Sequence, residues 1–185
     1  NPGLAALADV AGLGEAPRTS HLGYALGPRV NAGGRVGRAD LGARLLTTGD
    51  AAEARTLAEM LDRLNAERRA IEAMVHEAAL AKIEERYGTE PPPAIVVAHA
   101  GWHPGVVGIV ASRLAERYRR PAVVIGLEGG IGKGSGRSAA GIDLGAAVTS
   151  ARQSGLLLNG GGHPMAAGLT VAEDNVAALE RFLVE

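Results

Sequence analysis

The chain of 185 residues contains no cysteine. Disulfides and thiolate metal sites are therefore excluded, as a reducing compartment would allow. Aromatic residues are scarce as well: one Trp, three Tyr and one Phe leave little for a base-stacking platform. No run approaches the ~20 unbroken apolar residues of a membrane helix, and the N-terminus lacks the basic-then-apolar order of a secretory signal. No membrane association and a cytoplasmic location are the expectations. Charge of one sign is also missing, since the formal net charge is −1. That argues against a uniformly basic coat, although the average conceals clusters. From Arg18 to Arg44 five arginines stand against Asp40 alone, a net of +4, and from Arg113 to Arg152 seven basic residues stand against three acidic ones, again +4. Basic faces can thus coexist with a neutral total.

What remains is ample for a core, with 46% hydrophobic residues, and is rich in glycine, which occurs 27 times. Residues 1–48 are glycine-rich and weakly periodic, with a short helix expected near Asp40 to Leu46. Asp50, with Glu53 three residues on, has the pattern of a capping box, and neither glycine nor proline interrupts the next stretch to Tyr87. The positions Leu57, Leu61, Leu64, Arg68, Ile71, Val75 and Ala78 form a thin apolar seam broken at Arg68. Such a helix would span about 55 Å at 1.5 Å per residue. It reads as a connector rather than a coiled-coil arm, and Gly88 with Pro91-Pro92-Pro93 ends it. From Ala94 onward strand and helix patterns alternate. Strands are expected over 94–99, 122–127, 131–138 and 165–171, and helices over 105–118, 143–153 and 172–184. The fold class is α/β.

Three glycine-rich runs carry the candidate chemistry. In Gly160-Gly161-Gly162-His163-Pro164-Met165-Ala166-Ala167-Gly168, successive glycines could adopt positive φ and line an anion-binding turn with their N–H groups, placing His163 beside the charge. The bland alternative is a bend before a buried strand. In Gly134-Ser135-Gly136-Arg137-Ser138, the guanidinium fork of Arg137 matches phosphate oxygens, with Ser135 and Ser138 as hydroxyl donors; the alternative is a surface arginine on an edge strand. In Gly101-Trp102-His103-Pro104-Gly105, the ring pair could meet a base and a phosphate, or anchor the core. A fourth segment, Gly27 to Gly37, reads as a loop in which Arg29, Asn31 and Arg35 could hold phosphates or pair with carboxylates of the long helix. Lys133-Gly134 is not a nucleotide-binding loop, because Leu127 stands where the first glycine is required.

Taken together and in order, these four motifs resemble those of the DHH phosphoesterase superfamily, and most closely its RecJ-type single-stranded-DNA-specific exonucleases. The resemblance runs from about Gly23 to Phe182. It implies a remnant of the DHH catalytic domain at residues 1–49, a connector helix at 50–88, and a small mixed-sheet DHH-associated domain at 94–185 that binds substrate. It further implies phosphate contacts by Arg29, Asn31, Arg35, Ser135, Arg137, Ser138, Gly161, Gly162 and His163, with His103 and His163 as candidates for an auxiliary catalytic role.

The family draws its two-metal site, for Mn2+ or Mg2+, from Asp-x-Asp and Asp-His-His motifs that are absent here. The six aspartates are scattered, and Asp40, Asp50 and Asp143 read as helix caps. The chain begins at Asn1 and stops inside a helix, so it is expected to be an inactive fragment of a 5′→3′ exonuclease of DNA repair and recombination. Its partners would be single-stranded DNA, the preceding DHH domain and a following oligonucleotide-binding domain. The rival expectations are an oligoribonuclease or nucleotide phosphatase of the same superfamily, and a non-catalytic nucleic-acid-binding module.

Overall fold

The computed structural model describes residues 1–14, 16–139 and 141–185. Two compact units emerge, Asn1–Ile71 and Glu72–Glu185, and one helix, α5 (Ala51–Tyr87), runs from the first into the second.

The N-terminal unit is helical: α1 (Pro2–Val10), a single turn α2 (Thr19–His21), a π-wound stretch (Leu22–Leu26), α3 (Gly27–Val36), α4 (Leu41–Thr47) and the first half of α5. Leu7, Leu26, Leu41, Leu45, Leu57 and Leu61 close its core. The segment expected as a glycine loop is therefore the helix α3. Its Pro28 sits in the first turn, where a missing N–H costs nothing. Two glycines serve contact: a Cβ on Gly33 within the helix would lie 2.8 Å from the Arg38 carbonyl oxygen, and one on Gly37 at its C-cap would lie 2.8 Å from Leu64. That close packing outweighs the ~1 kcal/mol penalty of a helical glycine.

The start of α5 follows the expected cap, with Asp50 Oδ1 accepting from the Ala52 N–H at 2.7 Å and the Glu53 N–H at 3.2 Å. The return arm of the capping box is not made, because the Glu53 carboxylate instead accepts from Arg44 at 2.6 Å and from the Thr48 hydroxyl at 2.7 Å. Asp40 precedes α4 but makes no side-chain cap; Arg38 claims its carboxylate at 2.8 Å. Along α5 the buried apolar positions are Ala54, Leu57, Ala58 and Leu61 in the first unit and Val75, Ala79 and Ile83 in the second. The later seam thus runs through Ala79 rather than Ala78.

The C-terminal unit is α/β. Its elements are β1 (Ile95–Ala100), α6 (Pro104–Tyr118), β2 (Ala122–Glu128), β3 (Ile131–Arg137), α7 (Leu144–Gln153), β4 (Asn159–His163), β5 (Ala166–Ala172) and α8 (Val176–Val184), the last preceded by a 3-10 turn. The sheet order is β1-β2-β3-β5-β4. Only β1 and β2 are parallel, joined by the α6 crossover; the other pairs are antiparallel. β1 and β2 are continuous apolar runs because both of their faces are covered. Val96, Val123, Ile125, Leu144, Val148, Leu169, Val171 and Leu179 fill the core on the α7–α8 side. Strand β4 was not expected. Its glycines lie in extended conformation, and none of Gly160, Gly161 and Gly162 has positive φ. The run is a sheet edge, not an anion-binding turn.

The end of α5 is tied to α8, with Arg86 Nη2 donating to Glu180 Oε2 at 2.7 Å and the Tyr87 hydroxyl donating to Glu180 Oε1. Burial, reinforced by the Glu180 hydrogen bond, pushes the Tyr87 phenol up to about 12 from 10. The folded state thus favours the protonated phenol, so its contribution is complete below pH 10 and lost as pH rises through 12. In alkaline urea titrations the wild type should lose stability across that window faster than Tyr87→Phe. Parallel curves would show that this phenol carries no linkage.

Candidate functional site

The site is organised by β3, whose sequence alternates glycine with larger residues. With a side-chain period of two, Gly132, Gly134 and Gly136 face the α7–α8 side, and Ile131, Lys133, Ser135 and Arg137 face the other. The glycines are required by contact: a Cβ on Gly134 would lie 2.8 Å from Leu169, and one on Gly136 would lie 2.7 Å from Leu144.

On the opposite face the strand register builds three rows. Arg137 stands beside Ala166 and His163, Ser135 beside Gly168 and Gly161, and Lys133 beside Thr170 and Asn159. Rows are about 6.8 Å apart and neighbouring strands about 4.8 Å apart. Helix α6 packs on β2 and β3, and the floor beyond is open. A Cβ placed on Gly161 or Gly168 would meet no atom within 4 Å. The result is a flat, side-chain-free strip bordered by Lys133, Ser135, Arg137, His163, Asn159 and Thr170.

Arg137 and Ser135 reach this position because α6 carries no side chain at Gly108, where a Cβ would lie 3.0 Å from Ser135 Oγ and 3.1 Å from Arg137 Nη2. Arg137 Nη1 donates to Ser135 Oγ at 2.9 Å and to the Gly136 carbonyl at 2.8 Å. These bonds fix the guanidinium plane beside an open cleft of about 760 Å³, lined by Ser112, Glu116, Arg119, Ala139, Met165 and Ala166 among others. His163 is exposed at the end of β4. The turn after it is clamped from outside the hairpin, with the Pro164 carbonyl accepting from the Leu144 N–H and the Met165 carbonyl from the Ser138 N–H, both at 3.0 Å. Ser138 is buried, and its hydroxyl donates to the Ile142 carbonyl at 2.7 Å; its visible task is to hold that clamp. Gly162 lies against α7, where a Cβ on Gly145 would come within 2.9 Å of the Gly162 and His163 backbone.

His103 stands at the other end of the sheet. It caps α6, its Nδ1 accepting from the Gly105 N–H at 3.0 Å. Trp102 is buried and serves as an anchor, its carbonyl passing over Gly126 so closely that a Cβ there would overlap it. These residues line a separate cleft of about 410 Å³ with Lys133 and Glu128. Since Arg137 pairs with Ala122 and the second cleft adjoins Leu127, five residues of strand, about 17 Å, separate the two ends. His103 and His163 thus stand at opposite ends of the strand face, with Lys133 lining the His103 cleft and bordering the strip.

In the N-terminal unit Arg29 is largely buried; its Nε donates to Asp62 at 2.7 Å and its Nη1 to the Ala25 carbonyl at 2.8 Å. Asn31 and Arg35, four residues apart, share an exposed face of α3. Sequence reasoning passed over Gly108, Gly145, Arg119 and Met165. It dismissed Lys133 with the nucleotide-loop pattern, although the alternation along β3 aligns Lys133 with Ser135 and Arg137. Among the described residues no three His, Asp or Glu side chains are grouped so as to hold a metal ion, so no metal-assisted step is assigned to them. Among them, too, no helix is long and apolar enough to cross a membrane.

Residues 92–185 match the DHHA1 domain family. Over 94% of its length the chain is similar to the single-stranded-DNA-specific exonuclease RecJ of Bacillus subtilis (strain 168), at 44% identity, covering 22% of that protein. It is also similar to that of Dickeya dadantii (strain 3937), at 46% identity over 94% of this chain and 31% of the relative. The chain thus spans between a fifth and a third of the curated relatives it matches. Among solved structures, RecJ from Thermus thermophilus in complex with Mn2+ superimposes with a TM-score of 0.83 at 39% identity, over 98% of this chain and 26% of that one.

Proposed function

This chain belongs to the DHHA1 domain family, and from that membership we propose that it is the substrate-gripping part of a RecJ-like 5′→3′ exonuclease specific for single-stranded DNA. The observation that carries the reading is the open strip of β5 and β4 with Ser135, Arg137 and His163 along its border. A phosphodiester backbone is a row of anions that needs cations and room for close approach. Arg137 supplies a fixed fork, and Gly161 and Gly168 supply the room. Lys133 extends the positive border along the strand, and Asn31 and Arg35 offer the N-terminal unit's own contacts. Arg29, held by Asp62, supports α3. The divalent ions of the whole enzyme, Mn2+ or Mg2+, would be held by residues outside those described, as would the nucleophilic water. An oligonucleotide-binding domain elsewhere in the protein would add affinity. The chain by itself grips DNA and does not cut it.

One experiment tests this. Fluorescence anisotropy of a labelled single strand, in Mn2+ buffer and at several salt concentrations, should show salt-sensitive binding preferred over duplex and no shortening of the strand. Arg137→Ala should weaken binding about tenfold and reduce the salt slope by about 0.7, the share of one phosphate on a single strand. Equal binding by wild type and variant would refute the assignment of Arg137.

A further inference from the structure

Resting on that reading, we propose that the cleft beside Arg137 is a nucleobase subsite in which the side chain of Met165 is the stacking surface for one base of the bound strand. The chain's five aromatic residues are Tyr24, Tyr87, Trp102, Tyr118 and Phe182, and none lines this cleft. Sequence-tolerant binding of single strands rests on base stacking, and here something else must provide it. Met165 is 54% exposed and lines the cleft, so its side chain is open to a ligand there. Its polarizable thioether is suited to the edge and face of an aromatic ring.

The cleft around it is built for a flat apolar guest. Ala115, Ala139 and Ala166 give it a floor of small side chains, and its volume of about 760 Å³ lies within the range of small-molecule sites. The backbone that carries Met165 is held before any ligand arrives, because the Met165 carbonyl accepts from the Ser138 N–H and the preceding Pro164 carbonyl accepts from the Leu144 N–H. That preorganisation lowers the ordering cost of binding. Charged groups line the cleft as well: Arg137 and Arg119 can meet phosphate oxygens, and the Glu116 carboxylate can accept from a base amino group. Ala166, the register partner of Arg137, directly follows Met165, so a nucleotide with its phosphate at Arg137 has its base within reach of Met165.

A strand carrying an abasic residue isolates the base without altering the protein. With the intact chain, Met165→Ala should weaken binding of the normal strand about five- to tenfold, the value of one lost stacking contact. Met165→Leu should stay within about twofold of wild type. A strand with abasic residues at its 5′ end should bind wild type and Met165→Ala equally. The subsite is overturned alone if Met165→Ala binds the normal strand as wild type does, or weakens the abasic strand by the same factor. Failure of the wild type to bind either strand would overturn the gripping reading and the subsite with it.

Discussion

Alanine at Gly162 should destabilise the C-terminal unit by more than about 3 kcal/mol, whereas alanine at the adjacent Gly161 should leave stability within about 1 kcal/mol of wild type and remove most DNA binding. The two residues share a strand but face opposite sides of it. A Cβ on Gly162 would overlap the Ala166 carbonyl oxygen and lie 2.6 Å from the Ala167 Cα. Both are backbone atoms of the paired strand, so no rotamer change relieves the clash and the ladder from His163 to Ala166 must part. A Cβ on Gly161 meets no atom within 4 Å, and reduced freedom of the unfolded chain offsets the small perturbation. That methyl group would nevertheless stand on the strip where a phosphodiester backbone has to approach. Urea midpoints and strand anisotropy on both variants check the pair. Loss of about tenfold in affinity at Gly161 without a shift in midpoint is the expected signature. If Gly161→Ala binds the strand normally, the strip is not the DNA path.

The division between what was legible in the sequence and what was not follows from the kind of signal each element carries. β1 and β2 are apolar runs, and the caps at Asp50 and Asp143 have short polar side chains at helix starts. Asp143 Oδ1 accepts from the Ala146 N–H at 2.9 Å. These elements announce themselves through local chemistry. β4 does not, because Asn159-Gly160-Gly161-Gly162 has neither apolar alternation nor β-propensity. It is a strand only because α7 presses on one face while β5 pairs with its edge. Gly33 and Gly37 were misleading for a related reason, since a glycine demanded by a neighbouring helix reads like one demanded by a loop. Ser135, Arg137 and His163 were singled out from their glycine-rich motifs, but the sheet rows that bring them together were not available from spacing. β3 runs antiparallel to β2, which carries Arg137 to the start of β2 and away from the N-terminus of α6. That reversal separates His103 from His163, and its signal is the two-residue Gly129-Gly130 turn between the strands, both glycines at positive φ, which the strand reading left unused.

Removal of Arg113 is the second substitution with a large expected effect, although it touches no proposed ligand site. Among the described residues Glu72 is the one buried acidic side chain, with 3% of its side chain exposed, and it forms an ion pair with Arg113 of α6. A buried carboxylate is costly to the fold without a cation beside it. Breaking a buried pair costs about 3–5 kcal/mol. Arg113 itself is 53% exposed, so water can partly replace it, and about 2–3 kcal/mol is the appropriate expectation for Arg113→Ala. The double variant provides the sharper test. Replacing Glu72 with methionine removes the charge that needs the cation, so Glu72→Met should recover much of the loss in an Arg113→Ala background. Urea midpoints of the four proteins form the cycle, and a coupling near zero would show that Glu72 is sustained by other groups and that Arg113 is dispensable to the fold.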